Sequence, residues 1–255
     1  FPDDYWPADA SSSPLPEKTL RNLSPINLNA NPYMEKLEEQ MAQMKRCFGI
    51  IEGYLNYQGV LNVAQKLRGN EIFIDLIADP EFAADLFSHI SCTLRNFALR
   101  VQKIQRESGA DIDLMSVSNC VVNMISPDMY EHFILPHDMM LSNHFARFGV
   151  HTCNWDVTPY LSKLTRIKKM GYLDMSAMSD IEEARRLFPD TRLAFFLSID
   201  QIENMPLEKM EQELRRIARV ACPCDIILAD MPTAISIEKL NRLIRIAERI
   251  EGEYQ

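Results

Sequence analysis

Glycine is scarce, 8 residues in 255, and no Gly-x-Gly-x-x-Gly turn follows a candidate strand. That absence argues against a dinucleotide-binding sheet, whose first turn needs those glycines to bring the backbone against a pyrophosphate. Long apolar runs are missing too. Nothing approaches the roughly 18 residues needed to span a bilayer, and the N-terminus carries no basic segment followed by an apolar stretch. The chain therefore reads as soluble and cytoplasmic. Positive charge is short: 27 Lys and Arg stand against 36 Asp and Glu, a formal net charge of −9. Phosphate backbones and anionic membranes are held by basic footprints, so neither nucleic acid nor membrane is an expected partner. Cysteine is limited to Cys47, Cys92, Cys120, Cys153, Cys222 and Cys224, scattered along a chain large enough to do without disulfides. Reduced thiols are the default, and a regular spacing among them points to metal.

What is present is organised by alternation. Residues 1–32 hold six of the 14 prolines among Ser and Asn clusters and read as an irregular arm ahead of one domain, 33–255. Beyond the arm, short β-type runs at 48–54, 111–118, 149–153, 171–177, 193–199 and 225–230 alternate with helical segments near 33–46, 80–106, 127–147, 157–169, 180–188, 206–220 and 236–251. Most of the runs are nearly continuously apolar, as strands covered on both faces are. Helix starts are marked by Asp79-Pro80-Glu81, by Ser126-Pro127 with Asp128, and by Ser236 ahead of Glu238. Strict alternation predicts an α/β fold of the TIM (β/α)8 type; closing such a barrel takes eight strands, so either two are missing from this chain or the barrel is incomplete or filled by the arm. Two uncovered edges would be costly, so the arm is expected to pack across the gap or on a second copy.

The order of segments resembles the uroporphyrinogen decarboxylase superfamily. "GVLNVAQKLRGNEIFIDLIADPEFAADLF" (59–87), "ISPDMYEHFILP" (125–136), "LAFFLSID" (193–200) and "MPLEKMEQELRR" (205–216) follow in the family's order, with Ser198-Ile199 where Gly-Asn usually precedes the aspartate. The matches cover about 45–251. The resemblance implies a TIM-type barrel, a homodimer, and a family N-terminal part that this chain lacks. The decarboxylase branch carries an Arg-rich motif, an acid over the pyrroles and a late Gly-His pair; none is visible, and "LADMPTA" (228–234) has no histidine. The corrinoid-dependent methyltransferases carry His-x-Cys on a strand and a later cysteine as zinc ligands. His151-Thr152-Cys153 matches that motif, with Asn154 where glycine is common.

The residues themselves support a metal reading. Alternate side chains of a strand share a face, so His151 and Cys153 project together at the C-terminal end of their strand, the end that carries chemistry in barrels. Imidazole nitrogen and thiolate sulfur are both zinc donors, and a catalytic site keeps about three protein ligands. Cys222 and Cys224 precede the strand "DIILAD" and should lie at its N-terminal end. Asp230, at its C-terminal end, is better placed as a third ligand, and Glu52 in "IIEGY" is a further candidate because an acid in an apolar run needs a partner. The plain alternative is a His and a Cys packed in a barrel mouth. Asn119, Asp174 and Asp200 follow or end strands and are candidates to line the cofactor cavity, although such acids also cap helices. His132, His137 and His144 ride the 127–147 helix, where surface positions are the default.

Three functions follow. The first is a methyltransferase that uses zinc to present a small thiol to a methyl group on the corrinoid of a partner protein. The second is a tetrapyrrole decarboxylase. The third is a member without chemistry that serves in binding or assembly.

Overall fold

A computed structural model of the chain describes residues 14–229 and 235–254. The first part of the expected arm and Asp230 lie outside the described residues. The chain divides into two compact units, Phe1–Ala146 and Arg147–Gln255.

In the first unit, helix α1 (Glu17–Leu20) and a 3-10 turn precede α2 (Pro32–Phe48), then β1 (Tyr57–Gln58), α3 (Val60–Arg68), α4 (Glu71–Ala78), α5 (Pro80–Glu107), β2 (Leu114–Ser118), a 3-10 turn (Cys120–Met124), α6 (Pro127–Met129), a π turn (Tyr130–Ile134) and α7 (Leu135–Ser142). β1 pairs in parallel with β2, Tyr57 opposite Val117. Helix α5 is long because a Pro at its first turn and an Asp79 cap, accepting from the Phe82 N–H at 3.1 Å, start it cleanly. Phe82, Leu86 and Ile90, four residues apart, fall on the face it buries. Near its end Val101 packs with Met34 and Met41 of α2 and with Ile51.

Three expectations are corrected here. The strand placed at 48–54 is not one: α2 runs through Phe48, Gly49 ends it at φ 81°, and the strand is the short Tyr57–Gln58. Gly49 takes the left-handed position that closes helices, and the apolar Ile50-Ile51 behind it imitated a strand. The arm is also not irregular throughout, since α1 forms within it and the Leu15 N–H donates to the Leu67 carbonyl at 2.7 Å. The helix expected over 127–147 is broken by the π turn and ends at Ser142.

The second unit runs β3 (Arg147–His151), a 3-10 turn (Thr158–Tyr160), α8 (Leu161–Leu164), β4 (Met170–Ser176), α9 (Ile181–Leu187), β5 (Arg192–Phe196), α10 (Ile199–Asn204), α11 (Leu207–Ala221), β6 (Cys224–Ile227) and α12 (Ile237–Tyr254). Its four strands are parallel and pair in chain order, with His151 beside Asp174, Asp174 beside Ala194 and Ala194 beside Asp225. Leu193, Ala194, Phe195 and Phe196 of β5 are all buried, which is why the sequence there is apolar without alternation. Asp180 caps α9 and Ser198 closes a capping box with Gln201 on α10. No helix among the described residues is long and apolar enough to cross a membrane.

Two substitutions separate packing from capping. Phe195→Ala removes a fully buried ring and should cost about 3–5 kcal/mol. Asp180→Ala removes one cap, 2.8 Å from the Glu183 N–H, and should cost about 1 kcal/mol. Urea denaturation of both variants measures the ratio; equal losses would contradict the assignment of Phe195 to the core.

Candidate metal centre

β3 ends at His151, where the chain turns out of strand conformation. What holds that turn is Asp174 on the neighbouring strand, only 2% exposed. Its Oδ2 lies 2.7 Å from His151 Nδ1, and its Oδ1 accepts the Thr152 N–H at 2.8 Å. The Thr152 hydroxyl donates to the Asp174 carbonyl at 2.7 Å. An ionised carboxylate accepts and cannot donate, so His151 carries its proton on Nδ1 and leaves the Nε2 lone pair facing outward.

Nε2 faces Cys153. The thiol sulfur is 3.0 Å away, brought back over the ring because Cys153 adopts the left-handed φ of 60°. A residue with a side chain rarely takes this conformation, and such outliers gather at functional sites. Phe196 packs edge-on to the imidazole at 5.5 Å, while His151 itself keeps 23% of its side chain exposed. The result is an imidazole nitrogen and a sulfur aimed at one point, backed by a carboxylate. That donor set fits zinc or a similar borderline-soft cation. The same geometry also fits a thiol and imidazole sharing a proton.

The other expected residues divide. Asp174 sits inside β4 rather than at its end, and its role is to orient His151 instead of lining a cavity. Asp200 is an exposed residue in the first turn of α10, where it accepts from Asn204 Nδ2 at 2.9 Å, as a helix acid would. Glu52 is exposed and lies in the irregular segment before β1, not in a strand. Cys222 caps the end of α11 and Cys224 opens β6, so both stand at the N-terminal end of that strand, as the sequence polarity predicts. His137 is not a bare surface residue: its Nδ1 is 3.1 Å from Ser91 Oγ.

Asn119 belongs to a buried polar group in the first unit that the sequence did not announce. Its amide donates to Asp138 Oδ2 at 2.9 Å, and the Tyr130 hydroxyl donates to the same oxygen at 2.9 Å. Burial pushes the Asp138 carboxyl up to about 7, with the Tyr130 and Asn119 hydrogen bonds pulling it back down. The same burial raises the Tyr130 phenol. Gly59 leaves room for the arrangement, because a Cβ there would stand 2.0 Å from Asn119 Oδ1. The only sequence hint was an acid in the apolar stretch "FILPHDMML".

No protein-family model matches the chain, and no curated protein does. Among the solved structures that resemble it is a methyltransferase from Methanosarcina mazei, with a TM-score of 0.65 at 14% identity, covering 96% of this chain and 70% of that one. The two share a fold in which parallel strands alternate with helices.

The Asp138 carboxyl gives a pH dependence of fixed sign. Between about pH 4 and 7 the folded chain holds a proton that the unfolded chain has released, so stability falls as pH rises through this window and levels off above it. The loss should reach at most about 4 kcal/mol and be absent in Asp138→Asn. Denaturant midpoints of both proteins from pH 4 to 8 measure it; identical slopes would remove Asp138 as the cause.

Proposed function

We propose that this protein is a methyltransferase of barrel type whose His151 and Cys153 hold a zinc ion, and that it transfers a methyl group between the corrinoid of a partner protein and a small thiol. The observation that carries the reading is the convergence of His151 Nε2 and Cys153 Sγ at 3.0 Å, at the C-terminal end of β3, with Asp174 behind the ring. The fold shared with a methyltransferase supports it, as does the resemblance of His151-Thr152-Cys153 to the thiol-activating motif. Zinc, when bound, lowers the pKa of a coordinated thiol into the neutral range and so favours the nucleophilic thiolate.

The chain's own residues prepare that chemistry. Asp174 retains the Nδ1 proton and fixes the ring plane. Thr152, bonded twice to Asp174, stops the strand end from fraying. Phe196 covers the ring edge, which keeps water off that side of the imidazole. Cys153 contributes its sulfur as thiolate, which adds negative charge and favours methyl transfer from an electrophilic donor over binding of an anionic one. The further ligand is assigned by substitution. Asp230 is its candidate.

The 3.0 Å thiol–imidazole contact favours one other reading, a metal-free cysteine nucleophile with His151 as base and Asp174 as its orienting acid. Metal analysis separates the two. Protein purified without chelator should carry close to one zinc per chain, lost in His151→Ala and in Cys153→Ser. Asp174→Asn should bind zinc about 10–100-fold more weakly, the effect of losing the partner of a ligating imidazole. Cys222→Ser and Cys224→Ser should leave zinc content unchanged. Stoichiometric zinc that survives loss of His151 and Cys153 overturns the assignment, and a zinc-free protein whose Cys153 alkylates rapidly below pH 7 supports the nucleophile instead.

A further inference from the structure

The buried polar group of the first unit is only half made. Asn119 Nδ2 donates to Asp138 Oδ2 at 2.9 Å, yet the other oxygen of each side chain, Asn119 Oδ1 and Asp138 Oδ1, is buried with no hydrogen-bond partner among the described residues. Both residues are almost wholly enclosed, Asn119 at 1% and Asp138 at 0% exposure. An orphaned acceptor in such a place is costly, and here there are two. Gly59 stands so close to Asn119 Oδ1, where a Cβ would come within 2.0 Å, that no water fits between them.

Two acceptors cannot bond to each other, and one proton changes that. A carboxylic acid and a primary amide can form two parallel bonds, the amide N–H to one carboxyl oxygen and the acid O–H back to the amide oxygen. The first of these is present, and the atoms left over are the two that the second would join. No charged side chain among the described residues acts on Asp138 to favour the ionised form; burial raises its carboxyl to about 7. The titratable groups beside it are Tyr130 on the π turn and His137 on α7. Burial raises that phenol and lowers that imidazole, so both are uncharged near neutral pH. The neighbouring helices bring neutral groups. From α5 come Ser91, 3.1 Å from His137 Nδ1, and Phe87, edge-on to the same ring; from α3 comes Asn62, whose Oδ1 accepts the Val121 N–H at 3.1 Å.

We propose that Asp138 is a proton-operated latch: with a proton on Oδ1 it donates to Asn119 Oδ1 and closes a two-bond ring holding the end of β2 to α7, and loss of that proton opens the ring and releases the turn Cys120–Met124. The O–H bond breaks, the proton passes to solvent, and the carboxylate keeps the electron pair. Acceptor then faces acceptor in a site sealed from solvent, which favours separation of the two side chains. Asn119 governs the turn because its carbonyl accepts the Val122 N–H at 3.1 Å, and the Val122 carbonyl accepts the Ile125 N–H at 3.1 Å. Movement of Asn119 therefore reaches both amides. The Tyr130 hydroxyl donates to Oδ2 in either state and keeps Asp138 tied to the π turn.

The test is amide hydrogen exchange of the full chain from about pH 6 to about pH 9, read at Val122 and Ile125, with infrared spectra of the same samples. At the acid end the wild type should show the carbonyl band of a buried, hydrogen-bonded carboxylic acid, and that band should fade with a midpoint at about 7. Above the midpoint, exchange at the two amides should outrun the ordinary base dependence by about tenfold for each further pH unit. Asp138→Asn puts an amide N–H where the acid O–H stood; it should lack the band, keep the ring closed and show only the ordinary dependence. Should that variant fail to fold, the wild-type band and the wild-type exchange at Val122 and Ile125 decide by their common midpoint. A wild type with no acid band at about pH 6, a band that persists in Asp138→Asn, or exchange that passes through the midpoint with only the ordinary dependence overturns the proposal.

Discussion

The Asp174 carboxylate is the constraint on which the second unit's chemistry rests. A carboxylate almost wholly removed from water is costly unless each oxygen is engaged, and here one oxygen takes a backbone N–H and the other an imidazole. Those two bonds cross from β4 to the end of β3, so the pairing of two strands and the tautomer of one histidine are settled by the same side chain. The strand register brings this about: His151 stands beside Asp174, and a one-residue slip would turn the carboxylate to the other face of the sheet. Fold and site are therefore specified by one interaction rather than by separate ones.

The first unit handles a buried acid differently. Among the described residues no cation pairs with Asp138, which is held by a phenol and an amide, donors too weak to keep it in the usual carboxylate range. Asp174, by contrast, has an imidazole N–H and a backbone N–H. Asp138 is thereby poised between its charged and neutral forms near neutral pH.

Much of the architecture was legible. The strand β5 announced itself as a continuous apolar run because both its faces are covered, and Asp79, Ser126 and Ser236 marked helix starts whose backbone N–H groups they do accept. The strand at 48–54 misled because apolar content is the same signal in a buried strand and in a segment leaving a helix, and only Gly49 distinguished them. His151 and Cys153 do lie together, but not as alternate residues of one strand: β3 ends at His151, and the left-handed backbone of Cys153 brings its sulfur to the imidazole. The function of Asp174 was not legible, since its partner lies 23 residues away and only the parallel register joins them. Tyr130 and Asp138 were out of reach for another reason: eight residues along a regular helix rise about 12 Å, and no periodic rule pairs them.

The left-handed backbone of Cys153 sets two kinds of fitness against each other at one position. The conformation costs a side-chain-bearing residue about 1 kcal/mol or more, and a glycine there would relax it while deleting the sulfur. A population of variants screened only for thermal resistance would drift toward the relaxed backbone and discard the donor atom. A consensus built from such survivors would record glycine as the favoured residue, and the position's chemistry would vanish from the record of its own stability.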